Sequence, residues 1–165
     1  MKKLSWNKIK LLVLDFDGVM TDGFVYLNQD GVETVRCSRK DGLGIEFIQK
    51  IGIRVVVISR EKNKVVEARC KKLKVPCFYG VANKKTLFES IVKKFKLSLH
   101  QTCYVGDDII DIECVQIAGI GVVVGDAEPS VAKLSDYQTK RNGGDHAVRE
   151  VCDCILLALK NKKSK

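Results

Sequence analysis

The sequence predicts an α/β fold built on a doubly wound, Rossmann-like parallel sheet. Three observations carry this. Short, strongly apolar runs at 11–14, 54–59, 102–105 and 121–124 read as strands buried on both faces. Segments with helical spacing separate them, and alternation of this kind is the signature of parallel strands joined by helices. Chemistry-bearing residues follow the ends of the runs, the edge at which such sheets bind ligands.

In chain order, the first strand is Leu11-Leu12-Val13-Leu14, and it runs into Asp15-Phe16-Asp17-Gly18. Strand side chains alternate faces, so Asp15 and Asp17 leave the strand end pointing the same way. Two carboxylates that close repel unless a cation sits between them or one keeps its proton. Gly18 and Gly23 permit a tight turn beside whatever binds there. Residues 24–27 and 32–37 flank Asn28-Gln29-Asp30-Gly31 and read as a β-hairpin with Asp-Gly as its turn. Ile45, Ile48 and Ile51 have helical spacing, and Gly52 stops that helix. Residues 54–59 form a second strand, after which Asn63 can cap a helix reaching about residue 72. A short third strand at 77–79 leads to a helix at 84–95, then a strand at 102–105 and a helix at 108–117. A fifth strand follows at 121–124, and Tyr137 starts a last extended piece. Residues 145–159 close the chain as a helix with Val148, Val151, Cys152, Ile155 and Leu159 on one face. Only the hairpin stands outside the alternation.

The 165 residues suit a single domain spanning 1–165, with a core at about 9–158 and basic tails. Hydrophobic residues make up 45% and charged ones 30%, the balance of a soluble globular chain, and no apolar run is long enough to span a bilayer. No apolar segment precedes the first strand, so a cytoplasmic location is expected. The net charge of +9 does not imply a nucleic-acid partner. Lys2, Lys3, Lys8, Lys10, Lys160, Lys162, Lys163 and Lys165 sit at the two ends; without these eight, 21 basic residues face 20 acidic ones. Aromatic content is 7%, too low to suggest a base-stacking surface. The seven cysteines contain no C-x-x-C pair and no ligand spacing with His100 or His146, so they read as free thiols in a reducing compartment.

Four strand ends carry the candidate chemistry. Asp15 and Asp17 end the first strand, Ser59 the second, Lys84 follows the third, and Gly106-Asp107-Asp108 with Asp111 ends the fourth. Taken singly, Ser59 could be a helix cap, Lys84 a solvated neighbour of Lys85, and Asp107 or Asp108 a cap of the next helix. Together, acids, a hydroxyl and a lysine at one edge suit phosphoryl transfer, in which a lysine and a magnesium ion neutralise phosphate charge.

Asp15-Phe16-Asp17-Gly18-Val19, Ser59, Lys84 and Gly106-Asp107-Asp108-Ile109-Ile110-Asp111 resemble, in that order, the four motifs of the haloacid dehalogenase-like phosphohydrolases. Thr21-Asp22-Gly23, 40–45, 68–70 and 142–152 extend the resemblance to the capless subgroup of KDO 8-phosphate phosphatase and the sialic-type sugar acid 9-phosphate phosphatases. The resemblance covers about residues 9–158. It implies a core without a cap domain, Mg²⁺ as cofactor and a sugar acid phosphate as substrate. Asp15 would be the nucleophile that becomes an aspartyl phosphate, and Asp17 the general acid and then base. Asp15, the Asp17 carbonyl and Asp107 would hold the metal, with Asp108 behind it or bound through water and Asp111 contributing more weakly. Ser59 and Lys84 would bind the transferring phosphoryl group, and Arg39, Asp41, Arg60, Glu61 and Gly143 would contact substrate.

One departure bears on substrate. The eight-carbon enzymes typically have Gly-Arg after the second-motif hydroxyl residue, where this chain has Arg60-Glu61 after Ser59. The acid points towards a nine-carbon, acylneuraminate-type 9-phosphate. In the subgroup the hairpin builds a homotetramer in which neighbours complete each site, which is expected here too. Two other functions use similar residues. A receiver-like phospho-switch would need an acid after the third strand, where Tyr79-Gly80 stands. A catalytically weak subunit of a nucleotide-sugar synthesis assembly would not need every catalytic position.

Overall fold

The computed structural model describes residues 4–163. Lys2, Lys3 and Lys165 of the expected basic tails lie outside them. In chain order the elements are β1 (Leu11–Leu14), a hairpin of β2 (Tyr26–Leu27) and β3 (Glu33–Thr34), α1 (Arg39–Lys50), β4 (Arg54–Ile58), α2 (Lys64–Leu73), β5 (Cys77–Phe78) and α3 (Lys84–Lys94). These are followed by β6 (Thr102–Gly106), α4 (Ile112–Ile117), β7 (Ile120–Val123), α5 (Pro129–Ala132), β8 (Tyr137–Gln138) and α6 (Ala147–Lys163). The main sheet is parallel in the order β5-β4-β1-β6-β7-β8. Strand order reverses between β1 and β6, which makes the carboxyl ends of those two strands the switch point where an open α/β sheet takes its ligand.

Alternation within each strand explains the two-sided core. Leu12, Leu14, Val55, Val57, Cys103 and Val105 face α1, α2 and α6, where Ile45, Ile48, Val66, Val151 and Ile155 meet them. Leu11, Val13, Val56, Ile58 and Tyr104 face the other way, against Phe88 and Ile91 of α3 and Val115 of α4. All four residues of β1 are buried, as a central parallel strand requires.

Several boundaries differ from the pattern-based expectation for identifiable reasons. Helix α1 starts at Arg39 because the Ser38 hydroxyl accepts the Lys40 and Asp41 amides, while Ile51 lies just past the helix and is exposed. The stretch expected as one helix at 108–117 begins as a 3₁₀ turn, Ile109–Asp111, before α4. Helix α6 starts at Ala147 rather than 145, since His146 has φ +76°. Helix α5, opened by Pro129, was not signalled by periodicity.

The hairpin forms as expected, but its turn is longer than Asp-Gly. Asn28 pairs with Val32 across it, the Asn28 side chain accepts the Asp30 and Val32 amides, and Gly31 alone is left-handed at φ +74°. A Thr21–Cys37 bridge and an Asp22–Arg36 ion pair fix its base. Phe24, Val25, Tyr26, Leu27 and Val32 are all exposed on it, Phe24 at 73%. The cysteines are free, and burial pushes the thiols of Cys70, Cys103, Cys114 and Cys152 up. Among the described residues no helix is long and apolar enough to cross a membrane.

Candidate active site

Asp15 leaves β1 with its amide bonded to the Val105 carbonyl of β6, so its side chain emerges at the switch point. Its Oδ1 accepts the Phe16 amide at 2.7 Å, and its Oδ2 lies 2.6 Å from Lys84 Nζ. Burial pushes the Asp15 carboxyl well above its usual range, and the Asp111 charge adds to that against the opposing pull of Lys84. The chain then folds back in a tight turn: the amides of Val19, Met20 and Thr21 all bond to the Phe16 carbonyl, and Thr21 Oγ1 accepts Gly18 and Gly23. Gly18 has φ +74°, and a Cβ there would lie 2.0 Å from Asp107 Oδ2. Any side chain at 18 would therefore fill the place of that carboxylate.

The turn carries Asp17, whose Oδ2 accepts the Ser59 hydroxyl at 3.4 Å. Burial raises the Asp17 carboxyl, and the Glu61 charge raises it further. Ser59 follows β4, is buried, and accepts the Glu61 amide at 3.2 Å, so one hydroxyl ties Asp17 to the loop holding Arg60 and Glu61. Lys84 is the first residue of α3, which Asn83 caps. It is buried, unlike a solvated neighbour of Lys85. Burial pulls its ammonium down, but the Asp15 and Asp111 charges outweigh that and hold it above the usual range.

Beyond β6, Asp107 has its carboxyl pushed up to about 7 by burial and then by the Asp111 charge. Asp108 caps the 3₁₀ turn, accepting the Ile109 amide. Asp111 is fully buried. Its Oδ1 accepts Lys84 Nζ at 2.8 Å and the Tyr104 hydroxyl at 2.7 Å, and its Oδ2 accepts the Asp107 amide at 3.2 Å. Asp15, Asp107 and Asp111 each bring a carboxylate oxygen within 4.8 Å of the others. An all-oxygen donor set in which burial raises the carboxyls of Asp15 and Asp107 fits a hard divalent cation such as Mg²⁺. Asp17, expected to offer its backbone carbonyl, and Asp108, expected behind the metal or bound through water, contribute no carboxylate to this group of three.

Asp15, Asp17, Ser59, Arg60, Glu61, Asp107, Asp108 and Ile110 line one cavity of about 400 Å³. A larger depression of about 590 Å³ lies along α6 between Lys40, Arg141 and Arg149, without such a convergence of carboxylates. Of the expected substrate contacts, Arg60 and Glu61 line the acidic cavity, whereas Arg39, Asp41 and Gly143 do not. Arg39 is exposed. Gly143 backs the turn that carries Asp17: a Cβ there would sit 1.8 Å from the Gly18 carbonyl oxygen. Asp41 is buried, and its Oδ1 accepts the Arg149 amide at 2.8 Å. It thus caps α6 from across the fold, where left-handed His146 cannot. Spacing gave no sign of this cap or of Tyr104. Asp111, one helical turn beyond Asp107, could have been weighted more heavily. No acid follows β5, whose strand runs into Tyr79-Gly80, so the position a receiver-like switch phosphorylates is missing.

A family profile described as haloacid dehalogenase-like hydrolase matches residues 78–151, which include Lys84, Asp107 and Asp111. The 3-deoxy-D-manno-octulosonate 8-phosphate phosphatase of Escherichia coli K12 is 40% identical over 153 residues, 92% of this chain and 81% of its own length. A crystal structure of that phosphatase from Moraxella catarrhalis, in complex with magnesium ion, phosphate ion and KDO, matches with a TM-score of 0.92 at 34% identity. It covers 97% of this chain and 92% of that one. The cobalt-bound form of the Haemophilus influenzae enzyme matches with a TM-score of 0.91 at 30% identity, covering 94% of this chain and 92% of that one.

The buried cap has a measurable pH signature. Burial raises the Asp41 carboxyl from 3.8 to about 6, and its Oδ2 has no hydrogen-bond partner. His146, Arg69 and Asp145 are the charged side chains that face it. The folded protein therefore holds this proton more tightly than the unfolded chain. The stabilisation is complete below about pH 4 and is lost as pH rises through about 6. Asp41→Asn keeps an acceptor for Arg149 and cannot ionise. In urea titrations from pH 4 to 7 the parent should lose up to about 3 kcal/mol relative to the variant. A constant difference across that window would show that Asp41 does not titrate there.

Proposed function

This chain belongs to the haloacid dehalogenase-like hydrolases, and from that membership we propose a metal-dependent phosphomonoesterase acting on a sugar acid phosphate. One observation carries the proposal: at the switch point Asp15 meets Lys84 at 2.6 Å beside Asp107, while Asp17, its carboxyl raised, shares the same cavity. An Asp15 oxygen attacks phosphorus as the bond from phosphorus to the sugar oxygen breaks, forming an aspartyl phosphate. Asp17 gives its proton to the departing sugar oxygen. Asp17 then takes a proton from water as that water attacks phosphorus, freeing inorganic phosphate and restoring Asp15. Ser59 and Lys84 hold the phosphoryl oxygens. Mg²⁺, held by Asp15 and Asp107 with the Asp17 carbonyl, would neutralise phosphoryl charge. Burial and the Glu61 charge suit Asp17 to its part, since both favour the protonated form needed in the first step.

Phosphate release from p-nitrophenyl phosphate with added Mg²⁺ tests the chemistry. Asp15→Asn should cut turnover by more than about a hundredfold, because a covalent step is lost. EDTA should abolish turnover and Mg²⁺ restore it. Full activity after exhaustive chelation, or a variant retaining more than about a hundredth of parental turnover, would refute the assignment.

KDO 8-phosphate is the first substrate to consider, since the relatives above carry that activity in their names. A nine-carbon acylneuraminate-type 9-phosphate is the second, on one observation. Glu61 lines the cavity with Asp17, near enough for its charge to raise the Asp17 carboxyl. A carboxylate there accepts hydroxyl hydrogens of a polyol chain and repels a substrate carboxylate brought close to it. In a panel of sugar acid phosphates, kcat/KM should favour the eight-carbon ester. Glu61→Gln should alter preference within the panel severalfold more than it alters p-nitrophenyl phosphate turnover. Equal losses on all substrates would show that Glu61 only supports the loop.

The hairpin supports a homotetramer. A two-stranded ribbon is marginal alone, and its exposed Phe24, Val25, Tyr26 and Leu27 need a surface to pack on. Other copies of this single domain are the simplest source, with closed symmetry limiting their number. Light scattering should give about four times the chain mass. A fully active monomer at micromolar concentration would contradict it.

A further inference from the structure

Tyr104 takes no part in the chemistry above, yet its hydroxyl is bonded to Asp111 in the heart of the site. We propose that Tyr104 is a positioning residue: its donated hydrogen bond keeps Asp111 satisfied, so that Lys84 stays extended to Asp15 and the phosphoryl position. This rests on the reading of Lys84 as a phosphoryl-binding residue and deepens it.

The geometry is that of one cation between two buried anions. Lys84 Nζ lies 2.6 Å from Asp15 and 2.8 Å from Asp111, so neither carboxylate holds it alone. An ammonium so placed moves toward whichever carboxylate is less well supplied with other donors. Asp15 has the Phe16 amide besides Lys84. Asp111 has the Asp107 amide on one oxygen, and on the other the Tyr104 hydroxyl shares Oδ1 with Lys84. Asp111 is fully buried, so solvent does not replace a lost donor there. Without the hydroxyl, Lys84 is the only donor left to Oδ1 and is drawn onto it, away from Asp15. Displacement of a phosphoryl ligand by a fraction of an ångström lowers turnover out of proportion to the distance moved.

The rest of Tyr104 is ordinary core. Its ring packs 5.5 Å from that of Phe88 on the α3 side of the sheet, where a phenylalanine would fit equally well. A phenol in such a place needs a partner for its one polar atom. The Cys114 thiol lies beside it, but the hydroxyl's proton is directed at Oδ1 of the carboxylate that holds Lys84, an oxygen that accepts. Burial pushes the phenol well above its usual range, so it remains a donor throughout the working pH range.

Tyr104→Phe removes the one oxygen and keeps the ring. With p-nitrophenyl phosphate and saturating Mg²⁺, kcat should fall about tenfold while KM changes less than about threefold, because the lost alignment matters most where phosphoryl charge develops. A cycle with Asp111→Asn separates positioning from packing. In the Asp111→Asn background the same substitution should change kcat by less than about twofold, since the charge that would draw Lys84 away from Asp15 is gone. A kcat within about twofold of the parent for Tyr104→Phe, or equal effects in both backgrounds, would overturn the proposal. If Tyr104→Phe does not fold, Asp111→Asn alone decides: an unaltered kcat overturns the proposal, and a loss with unchanged KM supports it. A parent inactive on every phosphate ester would instead defeat the functional reading, and so the two failures are distinct.

Discussion

A single buried ammonium, Lys84, holds this structure's chemistry together. Burying one charge costs several kcal/mol unless partners surround it, and Lys84 finds two carboxylates within 2.8 Å. Those carboxylates belong to different parts of the fold. Asp15 follows β1, Asp111 lies in the turn after β6, and Lys84 opens α3, so the triad exists only when β1 and β6 pair in register and α3 docks over them. One positive charge facing two acids also leaves the site with surplus negative charge. Burial first, and then the Asp111 charge, raise the carboxyls of Asp15 and Asp107, and a hard cation is the natural remedy.

Around this centre the backbone is packed too closely for side chains. Gly18 passes against Asp107, and Gly143 presses on the Gly18 carbonyl from behind. The loop carrying Gly143 is bonded to Asp126 and to Val19, and it leads directly into α6. The position of the turn that carries Asp17 thus depends on a segment more than a hundred residues later in the chain.

The strands and their order of chemistry were legible from the sequence because buried parallel strands leave continuous apolar runs, and here each run stops at a polar residue. Asp15, Asp17, Ser59, Lys84 and Asp107 all sit where strand ends were expected to bring them. Legibility failed where contacts cross the fold. Spacing cannot reveal that Asp41 caps a helix 108 residues away. Nor can it reveal that the Tyr104 hydroxyl finds Asp111, since an aromatic residue within a strand reads as core. Short elements were lost for a different reason. The 3₁₀ turn at Ile109–Asp111 and the four-residue α5 offer too few residues for periodicity to act on.

The Asp41 cap also bears on the order in which the chain can become whole. Every charged group of the triad has been synthesised once Asp111 is made, but α6 and the loop that backs Gly18 come last. Helix α6 receives its cap from α1, so these two helices must meet across 108 residues of chain. A nascent chain still lacking its final segment has its carboxylates and lysine in hand but no buttress for the turn that aims them. Such late closure is the slow kind, because distant partners must meet before either is rewarded. The turn that carries Asp17 therefore takes up its position only once α6 and the loop before it have docked.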